Sequence, residues 1–271
     1  MSNELIEKLI QARSRKAYTL PVHRQAVELL RTVTKYWYRK KKDLVRFVIF
    51  GQGRSGSTLL DSLLDSHSEV SSCDELLRMR SRFPWSHLEW SERKASATKK
   101  AFGFHLKPWH VTRVQELDLD EFTDELIKRD FRFVHLKREN WFLKSLSQVK
   151  LHMYRVVHAR TDSQVPDKGL FVDPELLVFL IKEKQEQDET ESIVTSKLSY
   201  RPEEVIYERD LLTPEQQQAT ASRIFAFLGL SDAKVSTPLR KVSPKDWRLG
   251  VSNAEEIEQA VREAGYGRFL A

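Results

Sequence analysis

Apolar and polar positions along the chain follow two periods. Leu5, Ile6, Leu9 and Ile10 recur at helical spacing and predict a helix over 4–18. Ala26, Val27, Leu30, Val33 and Trp37 predict a second over 22–40. Arg46-Phe-Val-Ile-Phe50 is a short continuous apolar run bounded by glycine, the pattern of a parallel strand covered on both faces. From Thr58 the period turns helical again, with Leu59, Leu60, Leu63 and Leu64 on one face. Further strands are predicted at 101–106, 131–136 and 204–207, and helices at 118–129, 140–157, 173–197, 214–228 and 253–264. Thr213-Pro214-Glu215 supplies a helix start. The charge-rich stretch 182–191 reads as the exposed face of a long helix. Strands alternating with helices predict an α/β protein, a three-layer α/β/α arrangement around a central parallel sheet.

Composition sharpens this picture. Of 271 residues, 40% are hydrophobic and 31% charged, an ordinary globular balance that excludes a disordered chain. No apolar run approaches the ~18 residues that a membrane span needs, and the N-terminus lacks a secretory pattern. Cys73 is the only cysteine, which excludes a disulfide framework and a cysteine zinc site within the chain and fits a cytoplasmic setting. The net charge is +6, but residues 1–50 hold twelve Lys/Arg against four Asp/Glu, leaving 33 against 35 in the remainder. The basic surplus is thus an N-terminal property. Residues 1–45 are read as a basic helical extension packed on a core of 46–271. The basic-aromatic run 35–42 makes 31–46 a candidate contact for an anionic surface, a membrane periphery or another subunit, and nucleic acid is not the expected partner.

The candidate chemistry begins after the first predicted strand. Gly51-Gln-Gly-Arg-Ser-Gly-Ser57 leads into a helix, and a strand, glycine loop and helix in that order cradle phosphates with backbone N–H groups. Gly51, Gly56 and Thr58 fit the spacing of a nucleotide P-loop, yet the lysine position is Ser57 and the loop's cation is Arg54. A P-loop phosphotransferase holds Mg²⁺ with an Asp closing a second apolar strand. Here the second strand runs into Lys137-Arg138. The pattern is built for direct anion binding without a metal, and a sulfuryl group suits it. No His pair has acidic partners at metal-ligand spacing. A P-loop kinase and a non-catalytic nucleotide-binding protein on the same scaffold are the competing readings.

The run Gly53-Arg-Ser-Gly-Ser-Thr-Leu-Leu60 resembles the 5′-phosphosulfate loop of sulfotransferases that use 3′-phosphoadenosine 5′-phosphosulfate (PAPS), nearest the tyrosylprotein, carbohydrate and bacterial branch. His135 to Ser147 resembles the family's 3′-phosphate site, and Val205-Ile-Tyr-Glu-Arg-Asp-Leu-Leu212 its later strand. The resemblance implies that PAPS is the co-substrate, an alcohol the acceptor, and that no metal is required. It places Gly53, Arg54, Ser55, Gly56, Ser57, Thr58 and Leu59 at the 5′ end of the nucleotide. Arg138 with Ser147, or Ser145, would hold the 3′-phosphate, with Tyr207 and Lys241 completing the site.

By the same resemblance Glu75 is the base that takes the acceptor's proton, with Asp74 second, and a carboxyl of raised pKa would suit it. A helix-start acid is the alternative for the pair. His105 and Lys107 share one face of a strand, and the family commonly has a lysine near here to assist the leaving group. Acceptor contacts are expected from 76–100 and 150–200, where Trp85, His87 and Trp90, with Trp109 beyond them, offer an aromatic lining.

Overall fold

The computed structural model describes residues 22–38, 41, 43–154, 169–239 and 246–270. The helix expected at 4–18 lies outside them, as does Lys241. Five parallel strands form one sheet: β1 (Val45–Phe50), β2 (Val70–Cys73), β3 (Ala101–Leu106), β4 (Phe131–Lys137) and β5 (Glu203–Ile206), in the order β2-β3-β1-β4-β5. The predicted α/β architecture with a central parallel sheet is the observed one. The helices in chain order are α1 (Val22–Thr34), α2 (Ser57–Asp65), α3 (Pro84–Ser96), α4 (Leu119–Lys128), α5 (Trp141–Tyr154), α6 (Pro174–Ser196), the short α7 (Tyr207–Asp210), α8 (Pro214–Leu228) and α9 (Ala254–Glu263).

Period-2 alternation in β1 sends its side chains to two cores. Val48 and Phe50 join Phe102, Phe104 and Phe133 on one face, beneath α3 and α4. Phe47 and Ile49 join Leu60, Leu64, Val134 and Phe225 on the other, beneath α2 and α8. The four β1 side chains are completely buried, each contributing about 1.5–3 kcal/mol of transfer free energy. A third cluster, with Phe142, Leu177, Ile181, Trp247 and Ile257, fastens α5, α6 and α9 beside the sheet. α8 begins with the expected device, Thr213 and Gln216 exchanging a capping box ahead of Pro214.

Several boundaries depart from the sequence reading. The predicted 22–40 helix stops at Thr34, followed by a 3₁₀ turn over Lys35–Trp37. Tyr207 leaves the strand and opens α7. α3 carries no sequence prediction, because its inward apolar stripe is sparse: Trp85, Leu88 and the small Ala95. The 182–191 stretch lies on a long helix as expected and is solvated only in part: Lys182, Glu186 and Glu189 are exposed, whereas Lys184 and Glu191 are 4% and 1% exposed. α1 packs on α3, and part of the basic run is engaged there. Lys35 pairs with Glu89 at 2.7 Å, and Arg31 bonds His87 and lies over Trp90. No helix among the described residues is long and apolar enough to cross a membrane.

Candidate active site

β1 is central, and the strands on its two sides are reached by separate crossovers. Its carboxyl end is therefore the place where an open α/β sheet offers a crevice. The loop leaving it is tightly held. Gly51 donates to the Leu106 carbonyl at 3.2 Å, and a Cβ on Gly51 would collide with the Leu136 carbonyl oxygen. Gly56 has φ 90°, and a Cβ there would fall 2.6 Å from the Tyr207 ring. Both the backbone and the ring demand glycine at this position. Arg54 sits at φ 66°, a left-handed conformation that costs about 1–2 kcal/mol without glycine. Ser57 is the first residue of α2, so the loop N–H groups and the positive helix end share one direction. Leu59 turns its side chain to the core, which leaves only its backbone for a ligand.

Two guanidiniums meet behind this loop. Arg54 donates from Nε to Ser147 Oγ at 3.0 Å, and Arg138 donates from Nη1 to the Arg54 carbonyl at 3.1 Å. The Arg138 guanidinium lies 4.7 Å over the Tyr207 ring. Burial lowers the Arg54 pKa, and the Arg138 charge lowers it further; burial likewise lowers that of Arg138. Polar atoms here have no hydrogen-bond partner among the described residues: Ser55 Oγ, Ser145 Oγ and Arg138 Nε, the last lying 3.5 Å from Glu208 Oε1. Two desolvated cations beside unmet donors fit an anion rich in oxygen acceptors. Ser147 meets Arg54, whereas Ser145 is buried without such a contact, and both stand on α5.

Across the loop, Glu75 follows β2 and collects three basic side chains. Lys107 donates to Glu75 Oε1, His110 Nε2 lies 3.4 Å from Oε2, and His105 Nδ1 lies 3.7 Å from Oε1. The sequence expectation of a raised carboxyl pKa is corrected here. Burial pushes Glu75 up, but His110 and Lys107 outweigh it and hold the group far below the usual carboxylate range. His105 is fully buried and bonds the Gly51 carbonyl through Nε2; burial pushes its pKa down to about 3, so the ring is neutral. Spacing alone gave these histidines no acidic partner, yet the fold brings Asp74, Glu75 and His105 within 4.8 Å of one another. The Lys107 ammonium already occupies Glu75.

A cavity of about 260 Å³ opens beside the loop, lined by Gly53 and Arg54 of the loop, by Lys107 and Trp109, and by Lys184 and Gln187 of α6. Gly53 leaves just enough room for Lys107: a Cβ would stand 3.3 Å from its Cε. Of the aromatic lining expected from sequence, Trp109 alone lines this cavity. Trp85 stacks on Phe122 at 4.4 Å, Trp90 stands edge-on to Tyr38, and His87 bonds Arg31, all in the packing of α1, α3 and α4. No residue of 76–100 reaches the cavity, while α6 supplies part of the expected 150–200 segment.

Sequence reasoning weighed His110 only as a metal ligand. Its place was set by the π-helical turn His110–Gln115, which follows β3 and swings one imidazole inward. Asp188 is a further addition. From α6 it accepts hydrogen bonds from Gln52 of the loop and from Trp141 and Lys144 of α5. No local pattern marks a residue that acts across 136 positions of sequence.

A parallel α/β sheet whose central strand opens into an arginine-bearing glycine loop defines the class. Residues 46–150 match the model of the sulfotransferase family. The glycine loop, Glu75, Lys107, Arg138 and Ser147 all fall within that stretch, and over it the chain carries the sulfotransferase pattern. Solved structures similar to the chain include a sulfotransferase from Alicyclobacillus acidocaldarius, at 12% identity and TM-score 0.45, covering 83% of this chain and 95% of that one. Another is the sulfotransferase domain from the curacin biosynthetic pathway, at 14% identity and TM-score 0.43, covering 82% and 98%. No curated protein sequence matches the chain significantly.

Proposed function

We propose that the protein transfers a sulfuryl group from PAPS to an acceptor hydroxyl. The observation that carries this reading is the convergence on one cavity of the loop cation Arg54 and of Lys107, itself paired with Glu75, with a second buried guanidinium, Arg138, bonded to the loop backbone. The donor supplies the sulfuryl group and leaves as 3′-phosphoadenosine 5′-phosphate: the new bond forms between acceptor oxygen and sulfur, the sulfur–phosphate oxygen bond breaks, and the acceptor proton goes to Glu75. No metal enters this balance.

The chain's own residues have distinct tasks. Arg54, the N–H groups of Ser55–Thr58 and the unmet Ser55 hydroxyl bind the 5′ end. Arg138, with Ser145 or Ser147, binds the 3′-phosphate, and Tyr207 supports the guanidinium from below. Lys107 faces Gly53, from where its ammonium reaches charge developing on the leaving oxygen. Drawn toward an anion, Lys107 relaxes its hold on Glu75, whose pKa then rises toward that of a useful base. Glu75 is thus restrained until the donor site is filled. Residues 1–45 are proposed as an extension to this unit, 46–271, with 31–46 meeting an anionic surface or subunit.

The test combines ligand-linked stability with turnover. 3′-Phosphoadenosine 5′-phosphate without Mg²⁺ should raise the melting temperature, by the equivalent of about 2.7 kcal/mol at a hundredfold excess over its dissociation constant. Glu75→Gln should keep that rise and lose about 10²–10⁴-fold in transfer from labelled PAPS. Stabilisation by ATP–Mg²⁺ with none from the bisphosphate would instead identify a phosphotransferase.

A further inference from the structure

A surface helix ordinarily turns its apolar stripe to the core and its polar side to water. α1 is mounted the other way round. Glu28, Arg31 and Lys35 recur at helical spacing and face α3 and the residues leading into it. Glu28 accepts a hydrogen bond from the Arg82 N–H at 2.9 Å, Arg31 bonds His87 Nδ1 at 2.9 Å, and Lys35 pairs with Glu89 at 2.7 Å. Leu29, Leu30 and Val33 fall on the opposite side of the same turns, and Tyr36 and Trp37 of the 3₁₀ turn continue the stripe. These five side chains are between 59% and 79% exposed. None of them joins a core cluster among the described residues.

The charge around the stripe selects its partner. Residues 22–42 hold seven Lys/Arg against one acid, Glu28, and the sequence runs from the aromatic pair into Arg39-Lys-Lys-Lys42. Where α3 meets α1, Arg82 is exposed, and the exposed Lys94 shares the Trp90 ring with Arg31. The acids of α3 are engaged, Glu89 with Lys35 and Arg93 and Glu92 with Arg46. A second copy seated on this face would bring like charges together. An anionic bilayer surface answers them instead. It also suits the stripe: leucine and valine enter the acyl boundary, while indole and phenol rest at headgroup level. With 13 residues, α1 is about 20 Å long, too short to cross a hydrocarbon core of ~30 Å and able to lie in its surface. Its polar side is then turned to the protein it anchors, as the structure has it.

We infer that α1 docks on an anionic lipid surface through Leu29, Leu30, Val33, Tyr36 and Trp37. This names the partner of the 31–46 contact, on which it rests, and is independent of sulfuryl transfer. The full chain is sedimented with vesicles of phosphatidylcholine, alone or with about one-third phosphatidylserine. The anionic lipid should raise the partition coefficient about tenfold or more, and added salt should reverse the gain. Leu30→Gln with Val33→Gln should weaken the partition about tenfold, since two apolar side chains no longer enter the lipid. Both positions are solvent-facing, so the double variant should keep the melting temperature and its rise with 3′-phosphoadenosine 5′-phosphate. Brominated lipid should quench tryptophan emission in the unsubstituted chain and much less in Trp37→Phe. Failure to sediment, the result if residues 1–21 cover the stripe, overturns the inference, as does equal partition into both vesicles or quenching that survives Trp37→Phe. A dimer in sedimentation velocity that the double variant dissolves overturns it in favour of a second copy and keeps 31–46 as a subunit contact. Absence of the bisphosphate effect in the unsubstituted chain counts against sulfuryl transfer alone, so the failures are distinguishable.

Discussion

Asp61 stands on the buried side of α2, one turn past the glycine loop, and accepts a hydrogen bond from Ser72 of β2. Burial raises its pKa, the Ser72 hydroxyl lowers it, and the neighbouring charges of Asp74 and Asp65 raise it again, to about 7 from 3.8. The native state therefore binds this proton more tightly than the unfolded chain does. The associated stability is complete below pH about 4 and drains away as pH rises through about 7. Asp61→Asn removes the charge and keeps an acceptor for Ser72. It should raise the urea midpoint at pH 8, by on the order of 1–3 kcal/mol, with the gain fading toward pH 4. A variant destabilised at pH 8 and not at pH 4 would show that the carboxylate is required as an ion. Arg54 poses the opposite case at this scale, a residue strained in its backbone beside glycines, whose guanidinium reaches Ser147 of α5.

At the scale of elements, α6 joins the loop to α5. Asp188 receives Gln52 from the loop, Trp141 Nε1 at 2.5 Å and Lys144 Nζ at 3.4 Å. Lys144 is completely buried, and burial lowers its pKa while Asp188 and Glu191 raise it. An exposed ion pair contributes little, but removing one partner of a buried pair leaves an uncompensated charge. Asp188→Ala should cost about 3 kcal/mol by urea denaturation and weaken bisphosphate binding through the released Gln52. Adding Lys144→Met should recover most of the stability and none of the binding. If the double variant regained both, Asp188 would be holding the fold and not positioning the loop. The charge-rich run 182–191 that looks solvated in sequence thus has an inward side, with Lys184 and Glu191 buried and Asp188 bonded to the loop and to α5.

Across the whole molecule the buried histidines set the response to acid. His87 is pushed down to about 4 by burial and then by Arg31, and His105 to about 3; burial also lowers His110. Each is neutral in the native state and takes a proton more readily when unfolded. Their stabilising effect is full above the ordinary imidazole value of about 6.5 and is lost as pH falls toward 4. His87 accepts the Arg31 hydrogen bond that docks α1 on α3, and His105 bonds the start of the glycine loop. Asp61 runs the other way over the same window, but one carboxyl opposes three imidazoles. The melting temperature should fall between pH 7 and pH 5, and fall more steeply in Asp61→Asn. A flat profile in that variant would show that these rings are protonated in the native state.

The sequence by itself determined the parallel α/β class, because burial on both sheet faces imposes continuous apolar runs such as Phe47–Phe50. It also marked the loop, since only glycine tolerates the contacts that Gly51 and Gly56 make, and a departure from the metal-binding P-loop, since Ser57 stands at the lysine position and Lys137-Arg138 follow the strand where an Asp would be needed. What tertiary structure alone decided is which charges face one another. His110 and Lys107 meet Glu75 across 35 and 32 residues, and that meeting turned an expected raised pKa into a lowered one. Tryptophans that look alike in sequence divided between core and cavity for the same reason. Periodicity reports which side of an element is buried, whereas electrostatics depends on distances between elements, which no local pattern encodes.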